Sequence, residues 1–333
     1  MRVLIAALAA LLTIGGVTQA ADPPVLTVYT YNSFISEWGP GPAVQKAFEA
    51  DCACKLDYVA VEDGAALLSR LLLEGKNTKA DIVLGLDTNL TAEAAATGLF
   101  MNHDLDLSAL KLPMAWTDPV FVPFDYGYFA FVYDKEKIAA PPQSFEELVN
   151  GPEDWRLLIE DPRSSTPGLG LLMWVRKLYG DRAPEIWQKL KPRIVTVSKG
   201  WSEAYGLFLN GEAPMVLSYT TSPAYHIIAE NTDRYGAAQF SEGHYMQVEV
   251  AARTSTSANP VLAEKFLAFM TGPGFQDVIP TTNWMYPVIE TSGGLPDAFA
   301  KLPVPQPALL YTPEEAMAGR KAWIDEWLAA MGN

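Results

Sequence analysis

Phe121-Val-Pro-Phe-Asp-Tyr-Gly-Tyr-Phe-Ala-Phe-Val-Tyr-Asp134 is the stretch on which the fold turns. Strands of globular proteins usually run about 5–6 residues. An apolar, aromatic segment more than twice that length predicts a strand that leaves one body of the protein and continues into another. Gly127 would ease a bend on the way. Tyr245–Ala252 has the same character and crosses back. Two crossings between two bodies predict a hinge and a cleft.

Alternating strand and helix patterns flank the first crossing on both sides. Before it, Val25–Tyr31 alternates as a strand with Leu26, Val28 and Thr30 on one side, and Gly39-Pro-Gly-Pro42 then breaks the chain. Ala43–Ala50 follows as a helix, Lys55–Val61 as a strand, Ala65–Glu74 as a helix behind Glu62-Asp63-Gly64, and Ala80–Leu86 as a short strand. After the crossing come a helix at Ser144–Val149, a strand at Leu157–Ile159 and helices at Leu169–Tyr179 and Pro184–Leu190. Ile194–Val197, Glu203–Asn210 and Met215–Tyr219 continue the alternation, and helices at Ala263–Met270 and Thr312–Met331 close the chain. The fold class is therefore α/β in two lobes, each a mixed sheet flanked by helices. Residues 21–124 with about 246–290 are expected in lobe 1, and 125–245 with about 291–333 in lobe 2.

The chain opens with Arg2, an apolar run from Val3 to Val17, and small residues up to Ala20, the layout of a secretory signal over residues 1–20. Its cleavage would leave a soluble chain in an oxidising compartment, with no later segment approaching the ~18 apolar residues of a membrane span. No Cys at the cleavage point offers a lipid anchor, so the periplasm is the expected location. With 24 Lys and Arg against 39 Asp and Glu, the net charge is −15, which argues against a nucleic acid partner. Cys52 and Cys54 are separated by one residue; a bridge between them needs a locally bent backbone. His103, His226 and His244 are scattered without ligand spacing, so no metal site is expected.

Open α/β sheets place ligands beyond the carboxyl ends of their strands. There the sequence puts Tyr31, Asp63, Asp87, Ser164–Gly168, Trp201 and Tyr219. Trp38, Tyr225 and Trp284 lie in nearby segments rich in Gly, Ser, Thr and Pro, where flat rings could face a heteroaromatic or cationic guest. Each ring taken singly also reads as core packing. In Asp161-Pro-Arg-Ser-Ser-Thr-Pro-Gly-Leu-Gly170, Thr166 reads as an N-cap and Pro167 as the first helical residue, leaving hydroxyls and bare N–H groups around one spot. Such a helix start favours phosphate or carboxylate, although alone it also reads as a well-capped helix and nothing more. Asp63 reads either as a helix cap or as a counter-charge. The implied guest has a planar aromatic body, a fixed positive charge and an anionic tail, which thiamine and its phosphates combine.

Long motifs carry a resemblance that spans nearly the whole chain after the signal. Leu26-Thr-Val-Tyr-Thr-Tyr-Asn-Ser-Phe34, Trp38-Gly-Pro-Gly-Pro42, the crossing segment itself, Asp161–Gly170, Lys199-Gly-Trp-Ser-Glu-Ala-Tyr205, Leu217-Ser-Tyr-Thr-Thr-Ser-Pro-Ala-Tyr225 and Asn283-Trp-Met-Tyr-Pro287 are similar to the thiamine-binding proteins of bacterial thiamine ABC transporters. The resemblance implies a two-lobed periplasmic binding protein fold with two hinge crossings. It also implies delivery of thiamine, with its mono- and diphosphate, to an inner-membrane ABC permease, with no catalysis and no cofactor. Carried over residue by residue, Tyr31, Trp38, Trp201, Tyr225 and Trp284 match the ring-contacting aromatics, and Asp63 the acidic partner of the cation. Ser165, Thr166, Gly168 and Tyr219 match positions on the phosphate or arm side. The competing readings are a thiaminase-like transferase, which needs a reactive cysteine, and a polyamine or ferric ion receptor of the same fold.

Overall fold

The computed structural model describes residues 22–332, so the expected secretory signal lies outside the described residues. The strands are β1 (Val25–Tyr31), β2 (Lys55–Val61), β3 (Ile82–Asp87), β4 (Val122–Asp134), β5 (Leu157–Glu160), β6 (Ile194–Ser198), β7 (Met215–Tyr219), β8 (Tyr235–Ala237), β9 (His244–Arg253), β10 (Tyr286–Pro287) and β11 (Ala308–Leu309). Eight of them follow one path in the order β2-β1-β3-β9-β4-β7-β5-β6. At one end β1 lies parallel between β2 and β3; at the other β5 lies parallel between β6 and β7.

The long crossing strand joins these two α/β halves. Val122–Tyr128 of β4 pairs antiparallel with Met246–Ala251 of β9, and Phe129–Tyr133 then pairs with Met215–Tyr219 of β7. β4 and β9 are the two crossings, and the architecture is two-lobed α/β as expected. A Cβ at Gly127 would come 2.6 Å from the Met285 methyl, so its bareness also admits Met285 against the strand.

Both faces of the sheet are covered, which is why Tyr29 and Tyr31 are buried along with Leu26, Val28 and Thr30. Phe48 meets Phe266 edge-on at 5.0 Å on one side, and Trp174 meets Phe145 at 4.8 Å on the other. Each such buried side chain contributes about 1.5–3 kcal/mol. The helix Pro313–Met331 starts on a capping box between Thr312 and Glu315. It touches both halves, through Arg320 to Glu93 at 2.6 Å and Glu326 to Arg176 at 3.1 Å.

Cys52 and Cys54 form a disulfide with their Cα atoms 5.1 Å apart. The bend it requires is present, because Ala53 between them is left-handed at φ 52°. Among the described residues no helix is long and apolar enough to cross a membrane.

Candidate functional site

A cavity of about 260 Å³ opens between the halves at the ends of the strands. Of the residues expected from the sequence, Tyr31, Trp38, Asp63, Trp201, Tyr219, Tyr225 and Trp284 line it. Ser165, Thr166 and Gly168 do not.

The aromatic walls are set by local backbone. Tyr31 ends β1, and its ring lies against Gly85, where φ is +107° and an added Cβ would collide with that ring. Trp201 is the first residue of the helix Trp201–Leu209, with its Nε1 donating to Ser218 Oγ at 2.8 Å and its ring stacked on Tyr205 at 4.9 Å. Trp38 approaches Trp201 at 6.0 Å and is 48% exposed. Trp284 follows the helix Ile279–Thr282 and takes a left-handed φ of 58°, a costly conformation for a bulky residue and one that clusters at binding sites. Its ring meets that of Tyr225 edge-on at 5.3 Å. The sequence placed Trp201 and Tyr225 in loops; they instead sit on short helices whose Gly, Ser and Pro residues form the N-terminal turns, while Tyr205 falls in the expected element Glu203–Asn210.

Glu249 lines the floor of the cavity, and two more acids, Asp87 and Asp125, lie beside it without lining the cavity themselves. Glu249 of β9 stands in register with Asp87 of β3 on one side and Asp125 of β4 on the other. Tyr31 donates its hydroxyl to Glu249 Oε2 at 2.8 Å, and Asn283 Nδ2 donates to Asp125 Oδ2 at 2.5 Å and to the Tyr31 oxygen at 3.2 Å. Burial pushes the Asp87 and Asp125 carboxyls up to about 7. Burial and the neighbouring Asp125 hold Glu249 well above the usual carboxylate range. The sequence reading had Asp87 at a strand end but missed Asp125 and Glu249. Their signal was present: each is an acid set between large apolar or aromatic neighbours within a strand, Asp125 between Phe124 and Tyr126 and Glu249 between Val248 and Val250, and buried charges of that kind are rare without a partner or a role.

The hydroxyl-rich loop holds an anion, and that anion is the protein's own. Asp63 caps the helix Gly64–Glu74 by accepting from the Gly64 N–H at 3.0 Å. Across the gap, Ser165 Oγ donates to Asp63 Oδ2 at 3.1 Å, and the Gly64 N–H reaches Thr166 Oγ1 at 3.2 Å. Ser165 and Thr166 are consequently sealed, at 0% and 1% exposure. Two details of the sequence reading are corrected. Ser165 rather than Thr166 is the N-cap, with Thr166 and Pro167 already helical, and Gly168 is bare to let the helix start approach the Glu160 carbonyl. Burial raises the Asp63 pKa, while hydrogen bonds from Gly64, Thr166 and Ser165 restrain the rise.

With two carboxylates, seven aromatic rings and no Lys, Arg or His among its lining residues, the cavity is built for a flat, positively charged guest. Residues 40–277 match the bacterial extracellular solute-binding protein family. The chain is 61% identical to the thiamine-binding periplasmic protein of Escherichia coli K12, covering 93% of this chain and 94% of that one. It is 58% identical to the protein of the same name from Brucella suis, covering 94% and 93%. A solved periplasmic thiamin binding protein superposes with a TM-score of 0.90 at 61% identity, covering 93% of this chain and 96% of its own. The chain belongs to the bacterial extracellular solute-binding proteins, alongside the periplasmic thiamine-binding proteins.

Proposed function

We propose that the protein is a periplasmic receptor that captures thiamine between its lobes and presents it to an inner-membrane ABC permease. The observation that carries this reading is the composition of the cavity: aromatic faces on its walls, carboxyl groups on its floor, and no cationic side chain among its lining residues. A thiazolium seated there gains from cation–π attraction and from the acidic field, and the pyrimidine supplies a second plane for stacking. Identity near 60% to proteins named for thiamine binding supports the same choice. We extend the reading to thiamine mono- and diphosphate, whose arms would have the hydroxyls of Ser33, Ser202 and Ser222 beside them in the cavity.

The protein acts by binding and closure, not by cleaving the vitamin. A thiaminase-like reaction needs a free thiolate, and both cysteines are bonded to each other. They also sit at the start of β2, whose seven residues separate them from the cavity by about 23 Å. For a ferric ion receptor, no group of three or more His, Cys, Asp or Glu side chains is placed to hold a metal among the described residues. His226, next to Tyr225, is fully buried and engaged by Tyr205 and Glu230. A polyamine would meet the carboxyl groups but leave most of the ring faces unused.

Titration calorimetry with thiamine, its two phosphates and spermidine tests the reading. Thiamine is expected to bind below about 1 μM, or about −8 kcal/mol, with spermidine unable to compete. Tighter binding of spermidine than of thiamine would overturn the assignment.

A further inference from the structure

The cavity floor holds more acid than its surroundings can balance as anions. Glu249 lies between Asp87 and Asp125 across the sheet, and like charges directly opposite one another repel. None of the three is more than 4% exposed. From β1, Tyr31 donates to Glu249; from the segment before β10, Asn283 donates to Asp125. Asn89 satisfies Asp87 with its backbone N–H at 2.9 Å and its amide at 3.1 Å. Tyr219 at the end of β7 faces the same acids, its hydroxyl already accepting from Gln247 at 3.0 Å, and Asp63 adds a further negative charge. Among the described residues, Arg320 acts on Asp87 from a distance and is itself bound to Glu93.

One oxygen marks where the missing positive charge sits. Asp125 Oδ1 is buried and has no hydrogen-bond partner among the described residues, and Glu249 is the residue directly opposite Asp125 on the neighbouring strand. Leaving a buried carboxylate oxygen unsatisfied costs more than a neutral one would. A proton held between the two carboxyl groups satisfies that oxygen and removes the repulsion.

We propose that Asp125 and Glu249 share one proton in the empty cavity and release it to solvent when a cationic aromatic guest is seated, so that capture is linked to pH. The inference rests on the thiamine reading. Charge balances in the exchange: the pair passes from −1 to −2, the guest brings +1, and the proton leaves to water. Linkage then fixes the sign, because a ligand whose binding expels a proton binds more tightly as pH rises until the pair has already ionised.

Calorimetry of thiamine binding to the full chain, in buffers of different ionisation enthalpy, measures the exchange directly. The wild-type protein is expected to release up to one proton per thiamine near pH 6.5, with Kd tightening by up to about tenfold per pH unit on the acid side of neutrality. In Asp125→Asn and in Glu249→Gln, release should fall close to zero while residual binding persists. Thiamine binding without proton exchange, or variants that release as much as the parent, would overturn the inference and leave the thiamine reading standing. No thiamine binding at any pH would remove the thiamine reading and the inference with it. Infrared difference spectra of the wild-type protein make the test independent of variant folding: a protonated carboxyl band should vanish as thiamine is added, and a spectrum without it contradicts the shared proton.

Discussion

Along the walls of the cavity, Trp201, Tyr225 and Trp284 are half-buried and Trp38 is exposed, whereas Glu249 on the floor, with Asp87 and Asp125 flanking it across the sheet behind the lining, is almost sealed from water. The rings can stand empty at little cost, because an aromatic face half in water is ordinary for a protein surface. Carboxyl groups in the interior cannot, and each needs a donor, a proton or a guest. On the proposed reading the walls would supply affinity through contact area, and the floor selection for positive charge. Asp63 lies between these regimes: it faces the cavity, yet its carboxylate also ties one lobe to the other through Ser165.

The largest effect should come from that tie. Asp63→Ala removes an acceptor from the Gly64 N–H and from Ser165 together with a charge facing the guest, so thiamine affinity should fall by about 2–4 kcal/mol. Calorimetry checks it, and unchanged affinity would mean that the lobes close without this contact. On the wall, Trp201→Ala should weaken binding by about 1–3 kcal/mol, with Trp201→Phe intermediate. If the alanine variant binds as tightly as the parent, the wall contributes shape rather than energy, and the contrast with the floor disappears.

Closure itself can be probed at Gly64. A Cβ at this position would come 2.6 Å from both the Gly85 carbonyl and Thr166 Oγ1, one on each side of the gap. Gly64→Ala should cost about 1–3 kcal/mol by overpacking and favour the open form, lowering both thiamine affinity and melting temperature. Small-angle scattering of the ligand-free variant should show a larger radius of gyration than the parent, and an unchanged radius would count against this contact as a gate.

Smaller effects concern the floor in the absence of ligand. Asp87 and Asp125 have pKa values raised to about 7 by burial, so the folded state holds their protons more firmly than the unfolded chain does. Stability from this source is full below the unfolded value near 4 and is lost as pH rises through about 7. Melting temperature of the empty protein should accordingly drop between pH 5 and pH 8, by an amount on the order of 1–2 kcal/mol in stability, and Asp125→Asn should flatten the curve. Stability unchanged over the same interval would show the floor to be ionised throughout. Smallest of all is reduction of Cys52–Cys54: a loop this short contributes at most about 1.6 kcal/mol through the unfolded chain, and thiamine affinity should not change.

Much of this was legible in the residues. The period-two pattern of Leu26, Val28 and Thr30 and the length of the Phe121–Asp134 run placed strands to within a residue or two, because hydrophobic periodicity is a local signal. The rings at Tyr31, Trp38, Trp201, Tyr225 and Trp284 stood out for the same reason, being large groups among small ones. The floor was less visible. Asp125 and Glu249 lie 124 positions apart, and only the register of β4 against β9 sets them side by side. The loop at Ser164–Gly168 shows the opposite difficulty: its chemistry was read as anion-binding, but the sequence does not say that the nearest anion would be Asp63 from the other lobe.

The central claim is that positive charge on a flat guest is what the cavity selects. Binding of thiamine compared with an uncharged analogue of the same shape, in which a neutral ring replaces the thiazolium, tests it in one calorimetric experiment. The charged vitamin should bind at least about 2 kcal/mol, roughly 30-fold, more tightly, since it alone gains from the aromatic faces as a cation and from the carboxyl floor. Equal affinity for the two compounds would contradict the account.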